Sequence, residues 1–568
     1  MRIRIFFRII VLILLIVFSC LFYTQIIRGD FYHGLSQKNR IRIVPQEAAR
    51  GNILDNQGRV LVDSVLSFSA SIIPQELSDK EKVFTELARI LKEDKSNLQS
   101  VYKRGYIAPF APVTVKGDLS KKEALSLAEN KYKLQGLIVQ AKTERRYPYG
   151  DDLSHIIGYL READQARIDK LKPYGYKMRD IIGYSGLEEA YELFLRFRKG
   201  GMQIEVDNKG RMVRLLGVRV PEKGTDITLT IDLDMQRIAS SALGDKAGCV
   251  IIMNPLSGAI LAMASHPAYD PSLFVRNDRR NIVRLLNNAD APFVNRAISG
   301  LYPPASVFKL VTALAALESK KISEHTTFVC DGKMRVGGRD FKCWARHGPV
   351  DLAKAVAYSC DIFFYNAGLL AGPEALSASA FKFSLAHPTG IDLPQEKNGF
   401  VPTVNWKLKK GERWYKGDTV NFSIGQGDLL VTPIQMLRLV CVFANDGLLV
   451  DPYLVEKIGD KRASKKAGPQ KLRINKKYLY FLKRALLDVV KDPQGTAGML
   501  DIPGLAVAGK TGTAQVFNKA SHGWFVGFAP ADKPKIAFCV FIEHAGSSSV
   551  ACSIVKEILN RFLEEDLI

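Results

Sequence analysis

The chain is poor in cysteine, with eight in 568 residues, scattered at positions 20, 249, 330, 343, 360, 441, 539 and 552. That sparsity excludes a small scaffold stapled by disulfides. There is no low-complexity tract and no short internal repeat, which sets aside disordered and solenoid architectures. Acidic residues fall short of basic ones, 58 against 80, leaving a formal charge of +22. Such an excess suits an anionic partner: nucleic acid, an anionic lipid surface or an acidic polymer. No RNP element, zinc-finger spacing or glycine-rich phosphate loop accompanies it, so no nucleic acid is expected and membrane or wall contact is favoured.

What is present begins at the N-terminus. Ile9 to Ile27 is nineteen residues without a charge, preceded by Arg2, Arg4 and Arg8. That is long enough to span a bilayer, and the positive-inside rule keeps the short tail in the cytoplasm. Arg28, Lys38, Arg40 and Arg42 lie beyond the run and weaken that asymmetry. No A-x-A-like site follows, so a cleaved signal peptide fits less well than a retained anchor. A lipoprotein would use Cys20, but the large Phe18 just before Ser19 fits that poorly. The expectation is a single-pass protein of a bacterial inner membrane with its bulk in the periplasm.

A chain this long exceeds one hydrophobic core. We expect a cytoplasmic tail over 1–8, a transmembrane helix over 9–27, a non-catalytic module over 28–225 and a catalytic domain over 226–568. The module reads as mixed and extended with little continuous core. In it, QEAARGNILDNQGRVLVDSV has the pattern of strand, turn and strand, and DKEKVFTELARILKED and KKEALSLAEN read as amphipathic helices. After Asp226 the character changes. GCVIIMNPLSGAILAMASHP gives two apolar strands around an Asn-Pro-Leu-Ser-Gly turn, helices follow, and LAVAGKTGTAQV, GWFVGFAP and KIAFCVFIEH are strand-like before a closing helix. The fold class is therefore α+β, with an antiparallel sheet between helical layers.

Three short patterns carry chemistry. In PPASVFKLVTALAALE, Ser306 and Lys309 stand three residues apart, where a helix places them on one face. S-x-x-K also arises by chance in long proteins. Here, however, the lysine opens a buried apolar helix, and desolvating an ammonium is costly, so it is placed to give up a proton. AYSCDIFFYNAG sets Ser359 and Asp361 on a helix-like segment, and AGKTGTAQ sets Lys510, Thr511, Gly512 and Thr513 at a strand edge. Taken singly, these are a capping serine and a turn. In the order S-x-x-K, S-x-D, K-T-G they are better explained together.

With these motifs the chain resembles the class B penicillin-binding proteins, in their elongation-type branch, along almost its whole length. YPPASVFK, SCDIFFY, GQGDLLVTPIQM, AGKTGTAQ and GWFVGFAP carry the resemblance, and RGNILDNQG is similar to the family's pedestal signature. It implies a serine acyl-enzyme peptidoglycan D,D-transpeptidase or carboxypeptidase that β-lactams trap. Ser306 would attack the penultimate D-Ala carbonyl, Lys309 would take its proton, and Ser359 would shuttle it towards the leaving group. Asp361 stands where the family usually has Asn, and an acid there changes hydrogen-bond polarity. Lys510, Thr511 and Thr513 would bind the terminal carboxylate, Gly512 would admit the substrate backbone, and the N–H groups of Ser306 and Thr513 would form the oxyanion hole. A RodA-type membrane polymerase and the elongation machinery are the implied partners. A β-lactam sensor would carry more spans and an H-E-x-x-H domain, a secreted β-lactamase has no use for a pedestal, and a division-type relative usually differs at the serine-motif flank.

Cys330, Cys343 and His347 lie between the first two motifs and Cys360 inside the second, spaced C-x12-C-x3-H-x12-C. Cys3His is a tetrahedral zinc set, and four protein ligands would make the ion structural, bracing the segment that carries Ser359. A Cys330–Cys343 disulfide or buried free thiols are the alternatives, and Asp331 or Asp340 could replace a cysteine.

Overall fold

The computed structural model describes residues 2–46, 48–77, 79–109, 112–177, 180–206, 212–463 and 468–568. They cluster into two compact units. The first comprises Met1–Gly51, Ser64–Glu144 and Arg196–Thr225, and the second Asn52–Asp63, Arg145–Leu195 and Asp226–Ile568.

In the first unit Arg2–Ile27 forms one helical stretch, long and apolar enough to cross a membrane. The remainder is more compact than its sequence suggested. Three helices, Lys80–Leu91, Lys95–Gly105 and Lys121–Glu129, start where Asp79, Asp94 and Ser120 accept from backbone N–H groups of the first turn. Such caps satisfy donors that a helix start leaves open. Phe84, Leu87, Leu127, Leu134 and Ile72 are fully buried together, so this unit has a core of its own. The sequence reading missed it because its apolar residues are split among short elements that meet only in space.

The second unit is built on a five-stranded antiparallel sheet. Its strands are β1 (Gly248–Met253), β2 (Ile260–His266), β3 (Ala508–Val516), β4 (Lys519–Ala529) and β5 (Ile536–Ile542), in the order β2-β1-β5-β4-β3. The β1–β2 hairpin closes as expected: Asn254 Oδ1 accepts from the N–H groups of Leu256 and Ser257, and Gly258 takes a φ of +80°. A positive φ suits glycine at that turn. β1 and β5 are buried along their whole length, whereas β3, at the sheet edge, keeps one side unpaired.

Five helices concern the site: α1 (Lys309–Glu318), α2 (Leu352–Ala357), α3 (Asp361–Ala371), α4 (Lys476–Lys491) and α5 (Ser549–Glu564). In α1, Leu310, Val311, Leu314 and Leu317 are all buried. Each such side chain contributes about 1.5–3 kcal/mol. Together they outweigh the several kcal/mol that burying the Lys309 ammonium costs. The α+β class is as the sequence led us to expect.

Candidate active site

Ser306 lies in a short 3-10 turn, Ala305–Phe308, that leads into α1. The turn is held from two sides. Ala305 N–H donates to Gly425 O at 2.9 Å, and a side chain at Gly425 (φ +73°) would meet Ala305 O at 2.2 Å. That close approach explains the first glycine of GQGDLL. From the other side, a Cβ at Gly512 of β3 would stand 3.2 Å from Pro304 O and 3.3 Å from Val307 Cγ2, so the K-T-G strand abuts the serine turn. Ala305 itself has φ +50°. A non-glycine residue in that region costs on the order of 1–2 kcal/mol, and this one directly precedes Ser306. Ser306 is half-buried, and its hydroxyl has no hydrogen-bond partner among the described residues.

Lys309 is the hub. Its side chain is 0% exposed, and Nζ donates to Ser359 O at 2.7 Å, Ser359 Oγ at 3.1 Å and Asp361 Oδ1 at 2.7 Å. These are three acceptors for three ammonium donors. The sequence placed Ser359 on a helix, but it occupies the break between α2 and α3 with φ +53°. That left-handed turn is why both its carbonyl and its hydroxyl reach the same lysine. Asp361 opens α3, where a carboxylate favours the helix N-terminus.

The K-T-G residues divide. Side chains alternate along a strand, so Lys510 and Gly512 lie on one face of β3, Thr511 and Thr513 on the other. Lys510 is fully buried. Desolvation, reinforced by the charge of Lys309, pushes its amine well below the usual lysine range, and Asp361 acts in the opposite sense. Its Nζ donates to Thr511 O at 3.3 Å. Thr513 is exposed, and its Oγ1 accepts from Ser548 N–H at 3.2 Å, next to α5.

Sequence reasoning missed several supporting residues. Thr496, just beyond α4, shares a 2.7 Å hydrogen bond with Thr511 Oγ1, and its N–H donates to Ala357 O at 3.2 Å. It thus ties the third motif to the segment before the second. Tyr302 OH donates to Glu543 Oε1 at 2.6 Å, and Arg296 Nε donates to the same oxygen at 3.0 Å, anchoring the approach to Ser306 on the end of β5. Nothing local marks these residues, because their partners are remote in the chain.

The Cys330, Cys343, His347 and Cys360 ligand atoms all lie within 4.8 Å of one another. His347 Nδ1 is 3.5 Å from Cys330 Sγ and 3.6 Å from Cys343 Sγ. Tetrahedral zinc with Zn–S of about 2.3 Å and Zn–N of about 2.0 Å requires an N···S edge of about 3.5 Å. All eight thiols are free, so the Cys330–Cys343 disulfide is not formed here. A hydrogen bond from Cys360 holds the Cys343 thiol well below the usual range, while that same bond and burial push Cys360 up. Cys343 Sγ also accepts from the N–H of Asp361, the residue whose carboxylate holds Lys309, at 3.3 Å.

Known proteins resemble this chain along most of its length. The family described as penicillin binding protein transpeptidase domain matches residues 248–560, and the penicillin-binding protein dimerisation domain matches 45–229. The peptidoglycan D,D-transpeptidase MrdA of Acinetobacter baumannii is 32% identical over 99% of this chain and 87% of its own. MrdA of Escherichia coli is 31% identical over 96% and 91%. Among solved structures, the complex between penicillin-binding protein 2 and MreC from Helicobacter pylori superposes with a TM-score of 0.82 at 28% identity, covering 93% of this chain and 99% of that one.

Proposed function

The chain belongs to the class B penicillin-binding proteins of the MrdA, or penicillin-binding protein 2, type and is a peptidoglycan D,D-transpeptidase; on that premise we propose how its residues share the reaction. Ser306 is the nucleophile. Its Oγ attacks the penultimate D-Ala carbonyl of a stem peptide, the C–N bond to the terminal D-Ala breaks, and an ester to Ser306 remains. An amine of a neighbouring peptide then displaces the serine, forming the cross-link. Water in place of that amine would give the carboxypeptidase outcome.

Lys309 acts as the base in its uncharged form, its ammonium proton passing to Asp361 along their 2.7 Å hydrogen bond, one turn from the nucleophile. Ser359, within hydrogen-bond reach of Lys309 Nζ, relays the proton to the departing amine. Asp361 holds Lys309 through Oδ1, and Oδ2, which has no partner among the described residues, is left to accept a substrate amide N–H. The family's usual Asn could also donate at this position; the carboxylate only accepts. Lys510 supplies an N–H donor that braces the strand edge from behind, and Thr511 and Thr513 supply hydroxyls for the terminal carboxylate. The N–H groups of Ser306 and Thr513 are the oxyanion donors. The single observation that carries this reading is the convergence of Ser359 and Asp361 on buried Lys309 beside the Ser306 turn.

Cys330, Cys343, His347 through Nδ1, and Cys360 would hold one structural zinc ion, which supplies positive charge for the thiolates and a rigid tie behind Ser359. The N-terminal helix anchors the chain in the inner membrane with the catalytic unit in the periplasm. Glycan polymerisation then falls to a RodA-type partner. Labelling with a fluorescent penicillin tests the core of this: the wild type is labelled and Ser306→Ala is not. Equal labelling of the variant would overturn the assignment.

A further inference from the structure

Cys330 and Cys343 bracket a two-stranded hairpin, Lys333–Val336 paired with Arg339–Lys342. Its position is fixed relative to the reacting groups. Cys343 N–H closes the hairpin base on Gly332 O at 2.9 Å, Cys343 Sγ accepts from Asp361 N–H, and Trp344 Nε1 donates to Tyr358 O at 3.0 Å. One face is apolar. Met334 opposes Phe341, and the buried Phe341 ring meets Tyr365 edge-on at 5.9 Å. The other face is therefore turned outward.

That outer face is basic. Lys333 stands directly opposite Lys342 in the antiparallel register, and Arg335 opposite Asp340. Like charges directly opposed in a sheet are unfavourable. Arg346 adds a third cation at the same base, its stem lying against Gly332, where a Cβ would come within 2.9 Å of Arg346 Cγ. Between 331 and 346 there are five cations (Lys333, Arg335, Arg339, Lys342 and Arg346) against two carboxylates, Asp331 and Asp340, but Arg339 stands on the Phe341 face, opposite Val336 and 5.6 Å over the Phe341 ring. All five cations are exposed. None forms an ion pair among the described residues. Trp344, 62% exposed, lies between this base and Tyr358, held by its indole hydrogen bond.

The geometry points to a second anion-binding subsite, at the base of this hairpin, for side-chain or α-carboxylates of the stem peptides, separate from the carboxylate held at the K-T-G strand. The inference rests on the transpeptidase reading, which makes a carboxylate-bearing polymer the substrate. Lys333, Lys342 and Arg346 are the specificity residues. They attract the peptide strand beside Ser359, and an opposed lysine pair is relieved when an anion lies between them. A β-lactam, which carries no such further carboxylates, does not use the subsite.

The test uses full-length protein in detergent and purified insoluble peptidoglycan, either native or with its carboxylates converted to amides. Co-sedimentation of the K333Q/K342Q/R346Q variant with native peptidoglycan should need on the order of tenfold more polymer at low salt than the wild type. Its binding should also depend less on salt. Amidated peptidoglycan should weaken the wild type to the variant's level. Penicillin labelling of Ser306 should be unchanged in the variant, and its thermal midpoint should be no lower than that of the wild type, because removing the opposed lysines relieves repulsion. Equal binding of variant and wild type to native polymer would overturn the subsite, as would a wild type indifferent to amidation. Loss of penicillin labelling in the wild type would instead overturn the transpeptidase reading beneath it.

Discussion

Replacing Asp361 tests the hub of the site without touching the nucleophile. Lys309 Nζ has three acceptors and no exposure, and Asp361, 17% exposed, supplies the only charged one. Asp361→Ala leaves a buried ammonium with two neutral oxygens. Removing one partner of a buried pair costs about 3–5 kcal/mol. Asp361→Asn keeps an oxygen in the same place and exchanges a charge-assisted hydrogen bond for a neutral one, a difference of about 1 kcal/mol. Thermal unfolding of the full-length protein should therefore rank wild type, Asp361→Asn and Asp361→Ala in that order, with the larger step at alanine. A double variant, Lys309→Met with Asp361→Ala, removes both charges and should be more stable than Asp361→Ala alone. Penicillin labelling should survive in Asp361→Asn and fall sharply in Asp361→Ala. If Asp361→Ala melts with the wild type, or if the double variant is worse than the single, the pair does not hold the lysine as described.

Three further outcomes follow from the same geometry. Thr496→Val breaks the 2.7 Å bond to Thr511 and should slow penicillin acylation about five- to tenfold, equivalent to about 1–1.4 kcal/mol, with a near-normal thermal midpoint. His155 is buried, and desolvation lowers its pKa to about 4. The unfolded chain, titrating near 6.5, takes up a proton first, so stability is full above about pH 6.5 and is lost towards pH 4, by roughly 3 kcal/mol at most. Urea midpoints against pH for the wild type and His155→Gln check this, the variant losing that part of the slope. For the metal, elemental analysis of purified protein should give about one zinc per chain, lost together with several degrees of thermal stability in Cys343→Ser.

Much of the site was legible because its motifs are local: Ser306 and Lys309 share one turn, Ser359 and Asp361 another, and Lys510 to Thr513 a single strand. The Asn254–Gly258 turn was equally readable, since its capping and its positive φ are properties of adjacent residues. What escaped was everything that depends on remote contact. The left-handed turn at Ser359 brings its carbonyl to Lys309, fifty positions away in sequence, a contact that no local pattern shows. Thr496, Glu543 and Arg296 carry no local signature, and their roles appear only once β3 and β5 are in place. Residues 145–195 read as part of an extended N-terminal module, yet they pack with the C-terminal unit. Half-buried ties such as Tyr191 OH to Asp392, at 2.9 Å, lie beyond any pattern along the chain.

The most direct measurement is intact-mass and peptide-mapping spectrometry of the full-length protein after brief exposure to penicillin. The account predicts one covalent adduct per chain, on the peptide containing Ser306, and none in Ser306→Ala. An adduct on any other residue, or an unmodified wild-type protein, would contradict it.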